Sequence, residues 1–307
     1  MPMILSSKKM RTACFVFILS LSLMSGIAHG QHKQESLRIG LIADIQYADK
    51  ADRGTRFYKA SVGKLQESME AFNEAKVDFT VVLGDFVDEG PKDWPPIRQL
   101  LQQSVVPVYK LLGNHDYESV EDPCKLYETF EMQAPYYSLD TAGWRFVFLN
   151  TNELSAYATV AESALEVEFK QMASELKIQQ RSHVQPWNGG IGHTQMKWLE
   201  EELNTAKLKD LKVLVLTHHP LLPENNGHEA LNNREILNLL SDHKHVKAVI
   251  SGHNHVGAFA CYQGLPCITL EGMVETADQN AYGILDVLEN KLIIVGQGRL
   301  TSREIAF

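Results

Sequence analysis

The chain is 307 residues long, with 29 Lys and Arg against 38 Asp and Glu and a formal charge of −9 at pH 7. That balance excludes a nucleic-acid polymer or an anionic membrane as partner, since both require a basic surface. The length suits one large domain or two small ones, and the absence of a Pro/Gly/Ser linker or a repeat favours one.

Residues 1–30 read as a leader. Lys8, Lys9 and Arg11 precede an apolar run from Ala13 to Leu23, and the small residues Ser25, Gly26, Ala28 and Gly30 follow. This is the layout of a secretory signal peptide cleaved near residues 28–30, and the run is shorter than the ~20 residues of a membrane anchor. Export to a periplasm or to the outside is expected. Residues 31–307 then remain as a single domain without a membrane anchor, at about −12 after three cations leave the −9 total. Of its cysteines, Cys261 and Cys267 flank the turn-like "YQGLP" and are read either as a small disulfide or as two buried thiols, with Cys124 left over.

Beyond the leader, strands and helices alternate. Leu37–Ala43 reads as a strand, and residues 56–76 as a helix with Leu65, Met69 and Phe72 on one face. Phe79–Leu83 is a buried strand, a short helix follows near 96–104, and residues 105–112 form a third strand. Residues 136–139 and 144–149 form a hairpin across "DTAG", and 160–180 have helical composition, as an insertion within 154–186 over one rim. A helix over 194–206 precedes a strand at 211–217, and a helix over 234–241 precedes a strand at 246–251. The tail "AYGILDVLENKLIIVGQG" is a hairpin turning at Glu289 and Asn290. Alternation first and hairpins later predict an α/β sandwich with mixed sheets.

Five of these strands end in polar clusters. They are Asp44-Ile45-Gln46, Gly84-Asp85 with Asp88 following, Gly113-Asn114-His115-Asp116, "THHP" at 217–220 and "SGHNH" at 251–255. Ligands of α/β sheets bind outside the carboxyl ends of the strands. Taken singly, each cluster has a structural explanation: Asp44 caps a turn, Asn114 follows a turn glycine, His218 or His219 is a hydrogen-bonded core residue. Five in succession point to one site. Carboxylate, amide oxygen and imidazole together suit a divalent ion of borderline hardness such as Mn²⁺, and seven or eight donors exceed what one small ion takes. Two ions about 3.5–4 Å apart can clamp both oxygens of an in-line phosphoryl displacement.

The series "DIQ…GDFVD…GNHD…THHP…GHNH" resembles the calcineurin-like metallophosphoesterase superfamily, with the blocks in the same order over nearly the whole mature chain. "ADIQYAD", "GTRFYKAS" at 54–61, "WNGGIGHTQMKWL" at 187–199 and "LEGMVETA" at 270–277 resemble more narrowly its manganese-dependent ADP-ribose/CDP-alcohol diphosphatases. The resemblance implies a four-layer α/β/β/α sandwich of two mixed sheets. It also implies two divalent ions, Mn²⁺ first, with Mg²⁺, Fe or Zn²⁺ as alternatives. Asp44, Gln46 and His255 would hold one ion, Asn114, His218 and His253 the other, and Asp85 would bridge. His218 is preferred to His219 because the pattern is His-x-Pro. His115 would stabilise or protonate the leaving group, while Asp88, Asp116 and His219 would sit behind the ligands and orient them.

Gln46 and Asp88 mark departures from relatives. Most of the superfamily has His where Gln46 stands, and a neutral amide oxygen shifts preference toward Mn²⁺ or Mg²⁺. Purple acid phosphatases, which look similar here, place a Tyr ligand where this chain has Asp88, so an iron–tyrosinate site is not expected.

The function so implied is hydrolysis of the diphosphate bond of ADP-ribose or CDP-alcohols by a metal-bridging hydroxide. The alternative is a less selective phosphodiesterase or phosphatase of the same superfamily. The intact donor set argues against a non-catalytic scaffold, and Asn and Gln donors argue against a zinc peptidase. The partner is thus a small nucleotide-type substrate, and no protein partner is implied. Arg56 and Arg234 are candidates for phosphate or ribose oxygens. Trp187 is a candidate to stack on a base, and Asn188, Gly189 and Gly190 to present backbone N–H groups.

Overall fold

The structure, a computed structural model, describes residues 36–307, so the leader lies outside the described residues. In chain order the elements are β1 (Leu37–Ile42), α1 (Ala60–Ala75), β2 (Phe79–Leu83), α2 (Trp94–Leu101), β3 (Val108–Leu111) and α3 (Leu126–Thr129). Then come β4 (Tyr137–Thr141), β5 (Trp144–Phe148), α4 (Ala164–Ile178), α5 (His193–Leu208), β6 (Lys212–Leu216), α6 (Asn233–Asp242) and β7 (Val246–Ser251). The chain closes with β8 (Val256–Tyr262), β9 (Leu265–Glu271), β10 (Ala281–Val287), β11 (Lys291–Gly298) and β12 (Arg303–Ala306).

Side-chain alternation along the strands builds the layers. One set of strand residues, including Leu41, Val81 and Leu83 from one sheet and Phe146, Phe148, Leu214 and Ile250 from the other, packs between two sheets. The alternate residues Ile42 and Val82 face Leu65, Met69 and Phe72 of α1 and Ile97 of α2. On the far side Val147, Val215 and Val249 face Leu199 and Leu203 of α5 and Ile236 and Leu240 of α6. The result is the four-layer α/β/β/α sandwich, each sheet carrying six strands in the orders β12-β11-β10-β1-β2-β3 and β4-β5-β6-β7-β9-β8. β1, β2 and β3 run parallel, as do β5, β6, β7 and β9, which sets their carboxyl ends along one rim per sheet.

Three strands, β8, β9 and β12, are not anticipated by the sequence. "YQGLP" is the tight turn of the antiparallel hairpin β8–β9, with Tyr262 opposite Leu265 and Cys261 opposite Pro266. Cys267 pairs with Ala260, so Cys261 and Cys267 project from opposite faces of that ladder. Both are free, Cys261 exposed and Cys267 buried, which rules out the disulfide reading. The helical insertion is present as α4, seated against the start of α5 through Glu168, whose carboxylate accepts His193 N–H at 2.7 Å. No described helix is long and apolar enough to cross a membrane.

Candidate metal centre and its cavity

The two rims meet because the loops after the strands interlock. Gly84 and Gly113 make the contact possible. A Cβ on Gly84, which has a φ of +93°, would fall 2.6 Å from Gly113 N, and one on Gly113 would fall 2.1 Å from Asp85 Oδ1. Asp116 then clasps both loops. Its buried carboxylate accepts N–H groups from Gly113, Asp85, Phe86 and Val87 at 2.8–3.2 Å. Asp44, Gln46, Asp85 and His253 all hold positive φ between 43° and 68°, a region non-glycine residues rarely occupy. Backbone bonds lock the first two: Asp44 N–H donates to Gly84 O and Gln46 N–H to Asp85 O. Such strain concentrates at functional sites.

Each imidazole is fixed by one nitrogen and offers the other. His218 Nδ1 bonds Leu83 O at 2.8 Å, leaving Nε2 3.3 Å from Asn114 Oδ1 and 3.6 Å from Asp85 Oδ2. His255 Nδ1 bonds Glu275 Oε1 at 2.8 Å, leaving Nε2 3.7 Å from Asp44 Oδ1. His253 Nε2 donates to Asn188 Oδ1 at 2.9 Å, leaving Nδ1 free. Burial holds all three rings below the usual histidine range, so they are neutral donors of a lone pair. His219 differs. Its Nδ1 meets Thr151 Oγ1 at 2.8 Å and its Nε2 donates to Trp187 O at 3.1 Å, so both nitrogens are spent within the protein. Burial and His218 push this ring down to about 3. It braces the centre from behind.

The donor chemistry fits two divalent ions. Candidate ligand atoms of Asp44, Asp85 and His255 lie within 4.8 Å of one another, as do those of His218, His219 and His253. Burial and the neighbouring Asp85 raise the Asp44 carboxyl well above its usual range. Asp85 is lowered: burial pushes it up, but His218, His115 and the Gln46 amide outweigh that. Two buried carboxylates among neutral rings form an electrostatic deficit that a cation fills. Gln46 adds an orphan. Its Nε2 donates to Asp85 Oδ2 at 2.8 Å, while its buried Oε1 has no partner. A half-turn of the amide would bring that oxygen toward Asp85 and His255, the orientation a metal ligand needs.

An open cavity of about 470 Å³ lies over these donors, lined also by Arg56, His115, Glu118, Tyr157, Trp187 and His228. His115 Nδ1 lies 3.1 Å from Asp88 O and 3.3 Å from its carboxylate, which turns Nε2 toward the cavity, 3.5 Å from Arg56 Nη1. Asp88 also pairs with Lys50. Trp187, a candidate stacking residue, is 42% exposed and lines this cavity.

Matching the chain to known families decides its class. The calcineurin-like phosphoesterase model matches residues 37–257. The chain belongs to the calcineurin-like phosphoesterase family. It is thereby a metal-dependent hydrolase, with a fold that binds two metal ions. Among its relatives, the manganese-dependent ADP-ribose/CDP-alcohol diphosphatase of Oryza sativa subsp. japonica is 28% identical over 94% of this chain and 99% of that sequence. The protein of the same name from Arabidopsis thaliana is 29% identical over 89% of this chain and 97% of that sequence. A dimetal phosphatase from Danio rerio has the same fold, at a TM-score of 0.79 and 24% identity over 88% of this chain and 99% of that one.

Other expected substrate contacts of this phosphoesterase lie elsewhere. Arg234 forms a two-pronged pair with Glu224, both bonds 2.7 Å, and is not among the cavity residues. Asn188 is buried and orients His253. Gly189 is packed against the backbone of Thr151 and Asn152 and Gly190 against the side chains of Leu231 and Asn232, and Gly190 N–H donates to Leu154 O. They hold the wall together rather than face the substrate. Sequence reasoning missed Glu275 and His228. Glu275 follows β9, whose carboxyl end lies along the same rim, and it stands within "LEGMVETA", a stretch that carries the family resemblance but to whose Glu275 the sequence assigns no role. His228 sits in a long connection without periodicity, and nothing in its neighbours marks it.

Proposed function

We propose that this phosphoesterase hydrolyses the diphosphate bond of nucleoside diphosphate derivatives such as ADP-ribose and CDP-alcohols, with Mn²⁺ as its native ion. The observation that carries the reading is the continuity of the cavity. One pocket joins five of the seven proposed donors (Gln46, Asp85, Asn114, His253 and His255), the cationic Arg56 beside His115, and an aromatic wall of the exposed Trp187 and the half-buried His228. A phosphate cleft alone would serve simple esters; the added wall suits a planar base one diphosphate away. The relatives' names and the Gln46 amide support the substrate class and the ion.

Asp44, Gln46 and His255 would hold one ion, Asn114, His218 and His253 the other, with Asp85 between. When bound, such ions neutralise phosphoryl charge and lower the pKa of a water ligand from ~16 to about 7. The chain's own groups do the rest. Arg56 offers its fork to the phosphoryl oxygens at the cavity edge. Asp88 fixes His115 so that Nε2 meets the departing phosphate, whose charge it stabilises or whose oxygen it protonates. Trp187 and His228 orient the base.

Incubating the purified protein with Mn²⁺, Mg²⁺ or Zn²⁺ and ADP-ribose, CDP-choline, an aryl phosphodiester or a phosphomonoester tests this reading. Mn²⁺-dependent release of AMP or CMP, well above cleavage of the simple esters, is expected; preferential cleavage of the simple esters would assign the less selective activity instead. Export is proposed as well, from the basic start and short apolar run of residues 1–30, and the N-terminus of the mature protein checks it.

A further inference from the structure

His255 presents Nε2 to the centre only because Glu275 holds its other nitrogen, so the placement of Glu275 matters. Burial opposes its charge, yet the hydrogen bond from His255 keeps the carboxyl down at about 2. Glu275 lies in the 272–276 loop after β9. The loop backbone is stitched to the first strand end, Met273 N–H donating to Ala43 O at 3.0 Å and Val274 N–H to Asp44 O at 2.9 Å.

Two cations grip this loop from below. Lys64 of α1 is 6% exposed and gives its three N–H groups to three carbonyls of the one loop: Met273 O and Glu275 O at 2.8 Å and Thr276 O at 2.5 Å. An ammonium has three donors, and all are used. Arg299, in the turn between β11 and β12, donates to Gly272 O at 2.9 Å and to His255 O at 3.3 Å. The other imidazoles are held differently, His218 by Leu83 O and His253 by Asn188. Burying an ammonium is costly, and removing it strands three inward carbonyls.

We propose that Lys64 and Arg299 are positioning residues that set the affinity of one metal position, that of Asp44, Gln46 and His255, and leave the position of Asn114, His218 and His253 unaffected. The inference rests on the two-metal reading above. Losing the grip lets the 272–276 loop relax, Glu275 withdraw and His255 rotate. Partners of this kind behind a ligand are worth about 10–100-fold in metal affinity.

Calorimetric titration with Mn²⁺, paired with electron paramagnetic resonance of the bound ion, tests this without turnover. The wild-type protein should take up two equivalents and show a coupled Mn–Mn signal. Lys64→Met should bind one equivalent with wild-type affinity and the other about 10–100-fold more weakly, showing an uncoupled six-line signal at intermediate Mn²⁺. Arg299→Lys should shift the same equivalent by less, and carries the test with Glu275→Gln if Lys64→Met does not fold. Two equivalents bound as in the wild type, or both weakened in parallel, would overturn the proposal. Only one equivalent in the wild-type protein would overturn the two-metal reading beneath it.

Discussion

The rim that gathers the metal donors and the wall that borders the cavity are built on opposite principles. At the rim every donor follows a parallel strand and is buried, most are held by backbone, carboxylate or amide bonds of about 3 Å, and several stand at positive φ. At the wall Trp187 and His228 sit on long connections whose own contacts are loop to loop. Trp187 Nε1 and Asn188 Nδ2 both donate to Gly227 O, at 3.3 and 2.8 Å, and Glu229 receives Asn225 and Gly227 N–H beside the buried His183. The two regions are still coupled, since His219 donates to Trp187 O and His253 to Asn188. A buried, backbone-locked rim and a partly exposed, loop-borne wall are thus joined through His219 and His253. Where the wall acts on its own, substitutions there should alter substrate preference, and those at the rim metal binding and turnover.

Asp85→Ala attacks the rim most directly. It removes the carboxylate between the two clusters, and metal titration should find both equivalents lost, with kcat down on the order of 10³-fold or more. Retention of both ions would separate Asp85 from the centre. His115→Ala should keep both ions yet lose about 10²–10⁴-fold in kcat, the usual worth of a placed proton donor; unchanged turnover would remove it from the mechanism. Trp187→Ala should leave the rim intact and lose about 1–3 kcal/mol of base stacking. Measured as kcat/KM, the loss should appear for ADP-ribose and CDP-choline and be absent for a diphosphate diester lacking a base. Equal losses on both would mean that the wall acts through the rim. Arg234→Ala should be the mildest: its exposed pair with Glu224 is worth no more than about 1 kcal/mol in thermal unfolding, and steady-state rates should match the wild type.

The rim was legible for a physical reason. A buried strand is an uninterrupted apolar run, and the first polar group after it must stand at the sheet edge. Asp44, Asp85, Asn114, His218 and His253 follow from that rule without knowledge of the fold. The choice between His218 and His219 did not. The His-x-Pro pattern of the resemblance favours His218, and the bonds of His219 to Thr151 and Trp187, which leave it no free nitrogen, supply the physical reason. For β8 and β9 only the connecting turn "YQGLP" has a clear local signal, and Glu275, though within "LEGMVETA", shows its role only through its bond to His255. Arg234 was chosen for its chemistry alone, which a nearby glutamate claims first.

By itself, the sequence determined the alternation of strands and helices, the sandwich they imply, and the donors that a two-ion centre requires, because these depend on periodicity and on which residue types can share a site. Tertiary structure alone decided which nitrogen of each imidazole is free, that Asn188 serves His253 and Lys64 the Glu275 loop, and that Trp187 opens onto the cavity. Those facts rest on contacts between segments tens to hundreds of residues apart, whose partners no local pattern encodes.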